Sequence, residues 1–227
     1  MTQLMDIFLQ PGKAFTELKT RPTFLLPLLL TGVLSAAMIL LYSMKVDPAW
    51  YIDHTLAATG GDMSASETEQ ARKMIPGARA MGYIGVVMAL LATALFAALY
   101  ALYFMLAGKI TGATTSFRQG LSLGSWGGMP LLLGTVVALI GVATMTPQTG
   151  MESLMLTNLD PLLVQLPADH RWSRLAKAFS LLNLWAVGLI ALGWRIWGRT
   201  SWTQAIAVAA LPSVVIYGAM ALYALSK

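Results

Sequence analysis

The sequence predicts an all-α, polytopic membrane protein: five transmembrane helices in one bundle, with short interfacial helices beside them. Three observations predict it. Hydrophobic residues make up 57% of the 227 residues and charged residues only 11%, less than half of the roughly one quarter usual in a water-covered domain. Apolar runs of ~20 residues recur along the chain, the length that crosses a bilayer core as a helix. A barrel strand would be about half as long and would alternate in polarity. The length suits one bundle, so 1–227 reads as a single membrane domain.

The first element, 1–22, reads as an interfacial helix. Pro11 suits a first helical turn, and Leu4, Phe8, Phe15 and Leu18 gather on one side, away from Lys13, Glu17 and Lys19. No short apolar core with a small-residue cleavage site lies there, so the first span is expected to stay in the mature chain. The spans follow at about 23–44, 80–107, 127–145, 173–197 and 203–225. The second exceeds the bilayer core and should tilt or protrude. The longest connection, 45–79, offers Asp62 or Ser64 as the cap of a helix that ends before Pro76. The connection 108–126 reads as a short amphipathic turn at the interface, and 146–172 as a brief helix between Pro161 and Pro167.

With five spans the two ends face opposite sides. The bases divide almost evenly, so they orient the chain only through the shorter length of one set of connections. Of the acids, only Asp6 and Glu17 fall on the N-terminal side. The reading is N-terminus cytoplasmic and C-terminus outside.

The spans carry no Asp, Glu or His at mid-depth, which argues against a proton relay or an ion-coupled carrier. Their polar content is small residues. Gly85, Ala89, Thr93, Ala97 and Ala101 recur every fourth position of the second span, a ridge on which another helix can pack closely. Pro212 lies well inside the fifth span and should free a backbone carbonyl and kink the helix. In the fourth span Asn183 needs an interhelical partner, a bond worth about 1 kcal/mol in lipid. Trp185, Trp194, Arg195, Trp197 and Arg199 read as anchors at the headgroup level.

Signals of chemistry are weak. Residues 120–124, GLSLG, match a nucleophile-elbow pattern, but no strand precedes them and no acid or His neighbours them. Asp53, His54, Asp169 and His170 could meet at a metal only if two loops came together, and adjacent residues rarely aim at one ion. The absence of cysteine removes thiolate sites. No catalytic residue, metal or cofactor is expected. Scattered bases argue against nucleic acid as a partner.

The segments FLQPGKAFTELKTRPTFLLPLLL, SFRQGLSLGSWGGMPLLLG and LAKAFSLLNLWAVGLIALGWRIWGRTSWTQAIAVAALPSVV together resemble the Yip (Ypt-interacting protein) family in its short bacterial form. The carrying features are Asn183 with Trp185, then Gly188 and Gly193, then the basic turn GRTSWTQA. The resemblance implies five spans, a cytoplasmic N-terminus and a bacterial inner-membrane location. Eukaryotic relatives bind Rab-type GTPases and each other. The short stretch before the first span is expected to stand in place of their long cytosolic N-terminal region, so Rab binding is not carried over. The functional expectation is a non-enzymatic scaffold or accessory subunit in envelope transport or membrane organisation, with membrane lipids and a protein partner or second copy as its contacts. The alternatives are a transporter, channel or lipid-moving protein, and an enzyme built from the outer-loop Asp and His residues.

Overall fold

The structure is a computed structural model that describes residues 2–59, 64–167 and 170–226. Two helices open the chain, α1 (Thr2–Leu9) and α2 (Pro11–Thr20), followed by α3 (Leu25–Lys45). Then come α4 (Pro48–Thr59), α5 (Ala65–Met74) and the long α6 (Ala78–Thr111). The second half holds α7 (Phe117–Gly127), α8 (Met129–Thr144), a 3₁₀ turn (Met151–Leu154) and α9 (Leu159–Leu162). It ends in α10 (Ser173–Ala178), α11 (Leu182–Gly198) and α12 (Trp202–Leu225).

Local chemistry starts several of these helices. Ser64 accepts from the Glu67 amide while the Glu67 carboxylate accepts from the Ser64 amide, a reciprocal cap that starts α5. The alternative cap, Asp62, lies outside the described residues. Ser116 and Gln119 make the same device at α7, and Ser201 caps α12.

Glycines set the helix contacts. Gly85 and Gly32 on α6 and α3 face Ile39 and Leu90, which fixes the two helices as antiparallel. Lys45, at the end of α3, donates to the Val142 and Ala143 carbonyls at 2.9 and 2.6 Å. Those are last-turn carbonyls without helical partners, so α8 ends beside the end of α3. Returning, α11 places Ile190 against Gly127 and Leu182 against Gly134. α12 packs along α11. The five segments α3, α6, α7–α8, α11 and α12 thus alternate in direction.

Two expectations about the spans are corrected. α3, α6 and α12 are each long and apolar enough to cross a membrane; α7 with α8 makes a fourth candidate, bent by 43°. The segment 127–145 is therefore the second limb of a broken helix. Its first limb, α7, is the element expected as a mere turn. The segment 173–197 is not continuous. Residues 179–181 leave the helix to pair with 157–159: the Leu159 amide donates to the Phe179 carbonyl and the Leu181 amide to the Thr157 carbonyl, both at 2.9 Å. Asn158 also donates its side-chain amide to the Lys177 carbonyl at 2.7 Å, ending α10. Bonds to a distant segment replace the helical ones, leaving α11 with 17 residues.

The N-terminal helices differ from expectation too. The chain breaks at Gln10, and Ile7, Ala14, Phe15 and Leu18 are buried in the main core with Leu123, Trp126, Trp194 and Trp197. The apolar side that the sequence offers to lipid packs on protein instead. Phe15 lies against Gly193, where only hydrogen leaves room for the ring.

Candidate functional site

A cavity of about 420 Å³ opens inside the bundle. Its walls come from all five alternating segments. α3 supplies Leu28, Thr31 and Ser35, and α6 supplies Ala89, Thr93, Phe96, Ala97 and Tyr100. α7–α8 adds Ser125, Leu131 and Thr135; α11 adds Asn183 and Val187; α12 adds Ala209 and Ser213. Among the described residues no charged side chain lines it. Thr31 and Thr93 donate to the Pro27 and Ala89 carbonyls of their own helices, each at 2.8 Å. Ser125 donates likewise to Leu121. Back-bonding of this kind turns a hydroxyl into an acceptor with an apolar flank.

Two side-chain bonds on α12 flank this space. Pro212 has no N–H, so the Val208 carbonyl one turn earlier has no helical donor. The Tyr103 hydroxyl of α6 donates to that carbonyl at 2.6 Å. One turn beyond Ser213, Asn183 donates its side-chain amide to the Tyr217 hydroxyl at 2.9 Å. Asn183 thus bonds across helices and also borders the cavity. Ahead of α3, the Thr23 carbonyl lies outside the helix and accepts from the Trp126 indole N–H at 2.8 Å.

The ridge on α6 divides. Gly85 packs on Ile39 and Ala101 is fully buried under Gly120, while Ala89, Thr93 and Ala97 face the cavity. The residues read as headgroup anchors divide as well. Trp194 is 1% exposed and packs on Phe104 with ring centroids 5.9 Å apart. Trp197 is buried and donates its indole N–H to the Phe15 carbonyl at 2.7 Å. Trp197 faces protein because α2 covers its side of α11, and Trp194 because α6 does. Trp185 is partly exposed and meets Phe8 edge-on. Arg195 lies over the Trp202 ring, 4.7 Å from its centroid, and Arg199 closes α11 in the left-handed conformation.

The outer-loop residues do not converge. Asp53 pairs with Arg72 of α5. The His54 Nε2 lies 2.8 Å from the Glu152 carboxylate, with the ring stacked on Trp50. His170 accepts from the Trp172 amide at 3.3 Å, and Asp169 lies outside the described residues. Among the described residues no three His, Cys, Asp or Glu side chains gather at one point. The elbow-like GLSLG lies within α7, with Ser122 fully buried and Gly120 against the Ala101 backbone. Its glycines serve close helix approach.

The family model described as the Yip1 domain matches residues 5–223, nearly the whole chain. The chain belongs to the Yip1 domain family. Among curated proteins and among solved structures, nothing matches. The match takes in every helix that walls the cavity. The apolar helices of this Yip1 domain suit a membrane-associated role without catalysis.

Tyr103 and Tyr217 are site residues that the sequence reading does not single out. Pro212 names the carbonyl in need of a donor, but not the side chain that supplies it.

Proposed function

We propose that this Yip1 domain is a non-enzymatic, multi-pass protein of the bacterial inner membrane that acts through partner proteins, as a scaffold or accessory subunit in envelope transport or membrane organisation. One observation supports it most: the large interior space has a wall of apolar, hydroxyl and amide groups with no charge. Acid–base or nucleophilic catalysis needs a reactive group and a neighbour that activates it. Such a wall suits binding. Crosslinking in native membranes from side chains on α4 and α5 tests the reading, with specific protein adducts expected. Purification with no adduct and no self-association, under mild detergent, would overturn it.

Five passes with the N-terminus inside are part of the proposal, supported by the alternating directions of α3, α6, α7–α8, α11 and α12. The chain has no cysteine, so Lys13→Cys and Ser226→Cys each place one thiol. A membrane-impermeant reagent added to intact inner-membrane spheroplasts should label the second and spare the first.

A second reading, a lipid-moving protein, is favoured by the cavity itself. Protein-dependent movement of labelled phospholipid between liposome leaflets would support it, and no movement would remove it.

A further inference from the structure

We propose that the cavity holds an aliphatic chain of a bilayer lipid, entering sideways between α6 and α12, with the charged headgroup outside. The site is a side entry because Phe96 belongs to its wall yet is 55% exposed on the outer face of α6. The neighbouring outward residues Leu95 and Leu99 are 59% and 50% exposed, so wall and lipid-facing surface are continuous at this edge. The α12 residues of the wall, Ala209 and Ser213, lie between Val208, bonded to Tyr103, and Tyr217, bonded to Asn183. Nine residues of helix separate those points, about 13 Å at 1.5 Å per residue.

The chemistry selects the occupant. A phosphate or ammonium group would find no counter-charge on this wall, and an unpaired charge away from water is strongly disfavoured. Ordered water needs two to four polar partners; Thr31, Thr93 and Ser125 have their donors committed to their own helices, and the other wall hydroxyls, Ser35, Thr135 and Ser213, stand one each on α3, α8 and α12 in a mostly apolar lining. A methylene is about the size of a water molecule, so at ~30 Å³ each the 420 Å³ accepts on the order of a dozen. An apolar hollow left empty beside fluid chains forfeits dispersion contacts that a chain would restore. The inference is independent of the partner-protein reading, since it concerns the purified chain and its lipid.

The test uses the full chain in phosphatidylethanolamine–phosphatidylglycerol nanodiscs. These carry a trace of phosphatidylcholine with a photoreactive diazirine midway along one acyl chain, and adducts are mapped by mass spectrometry. Adducts should form on Thr93, Ala97 and Ser213 as well as on the lipid-facing Leu95 and Leu99. Ala97→Phe should cut the cavity adducts several-fold and leave those on Leu95 and Leu99 unchanged. Ser213→Leu, on the opposite wall, repeats the test if the first variant does not fold. Adducts confined to the outward residues, or cavity adducts that neither variant reduces, would overturn the proposal. So would cavity labelling by a headgroup diazirine, or a crosslinker at position 97 that joins two copies instead of capturing lipid.

Discussion

Ala97 and Ala101 stand one turn apart on the same side of α6 and carry the same methyl group. Ala101 is fully buried, with its backbone against Gly120 of α7, whereas Ala97 borders a cavity of about 420 Å³. The difference lies in what stands opposite. At Ala101 the partner is a glycine, so the two backbones meet. At Ala97 the facing helices are α11 and α12, and the bonds from Tyr103 to α12 and from Asn183 to Tyr217 lie on either side of the gap. A small residue permits close approach, but the partner decides whether it happens.

The comparison breaks most visibly at Gly120. A Cβ there would lie 2.7 Å from the Ala101 carbonyl oxygen and 2.9 Å from its Cα, backbone atoms that cannot swing aside. Gly120→Val should lower stability by about 1–3 kcal/mol, read as a fall in Tm in detergent. Ala97→Leu should leave Tm unchanged or raise it, because its side chain extends into open space. Equal losses at the two positions would remove the distinction.

The bonds beside the cavity come next. Tyr103→Phe should cost about 1 kcal/mol by leaving the Val208 carbonyl without a donor. Pro212→Ala supplies a helical N–H to that carbonyl, so the double variant should lose less than the sum of the two single changes. Strict additivity in thermal unfolding would separate Tyr103 from the proline. Asn183→Leu should cost about 0.6–1 kcal/mol, read the same way. Unchanged or higher stability would show that the bond to Tyr217 does not hold α11 to α12.

The smallest effect lies outside the spans. The Ser64 hydroxyl, and then its amide, hold the Glu67 carboxyl below its ordinary value. A depressed carboxylate stabilises the fold above the unfolded-state value and loses that effect as pH falls through the folded one. The protection of the α5 amides, after allowance for the intrinsic slowing of amide exchange in acid, should therefore fall as the medium is acidified through the carboxylate range, and Ser64→Ala should flatten the response. An unaltered profile in that variant would detach the pH effect from the cap.

Helix content, the cap at Ser64, the carbonyl freed at Pro212 and the need of Asn183 for a partner were all legible from residue types and local spacing. The reading of Trp194 as an anchor failed because an aromatic near a helix end looks the same whether it meets lipid or, as here, Phe104 of α6. The apolar side of 1–22 was ambiguous in the same way: an amphipathic side records that something apolar covers it, without naming lipid or protein. The break at 179–181 had no local signal, since Phe179, Ser180 and Leu181 include neither glycine nor proline.

By itself the sequence determined a helical membrane protein of the Yip1 family, the approximate ends of α3, α5, α6, α8 and α12 and the absence of charge at mid-depth, because these follow from composition and from neighbours within a turn or two. Only the tertiary structure decided which face of the α6 ridge closes and which stays open, where 157–159 displaces helical bonds, and that Tyr103 and Tyr217 bond beside a cavity. Those outcomes rest on distances between residues far apart in the chain, and no local pattern encodes them.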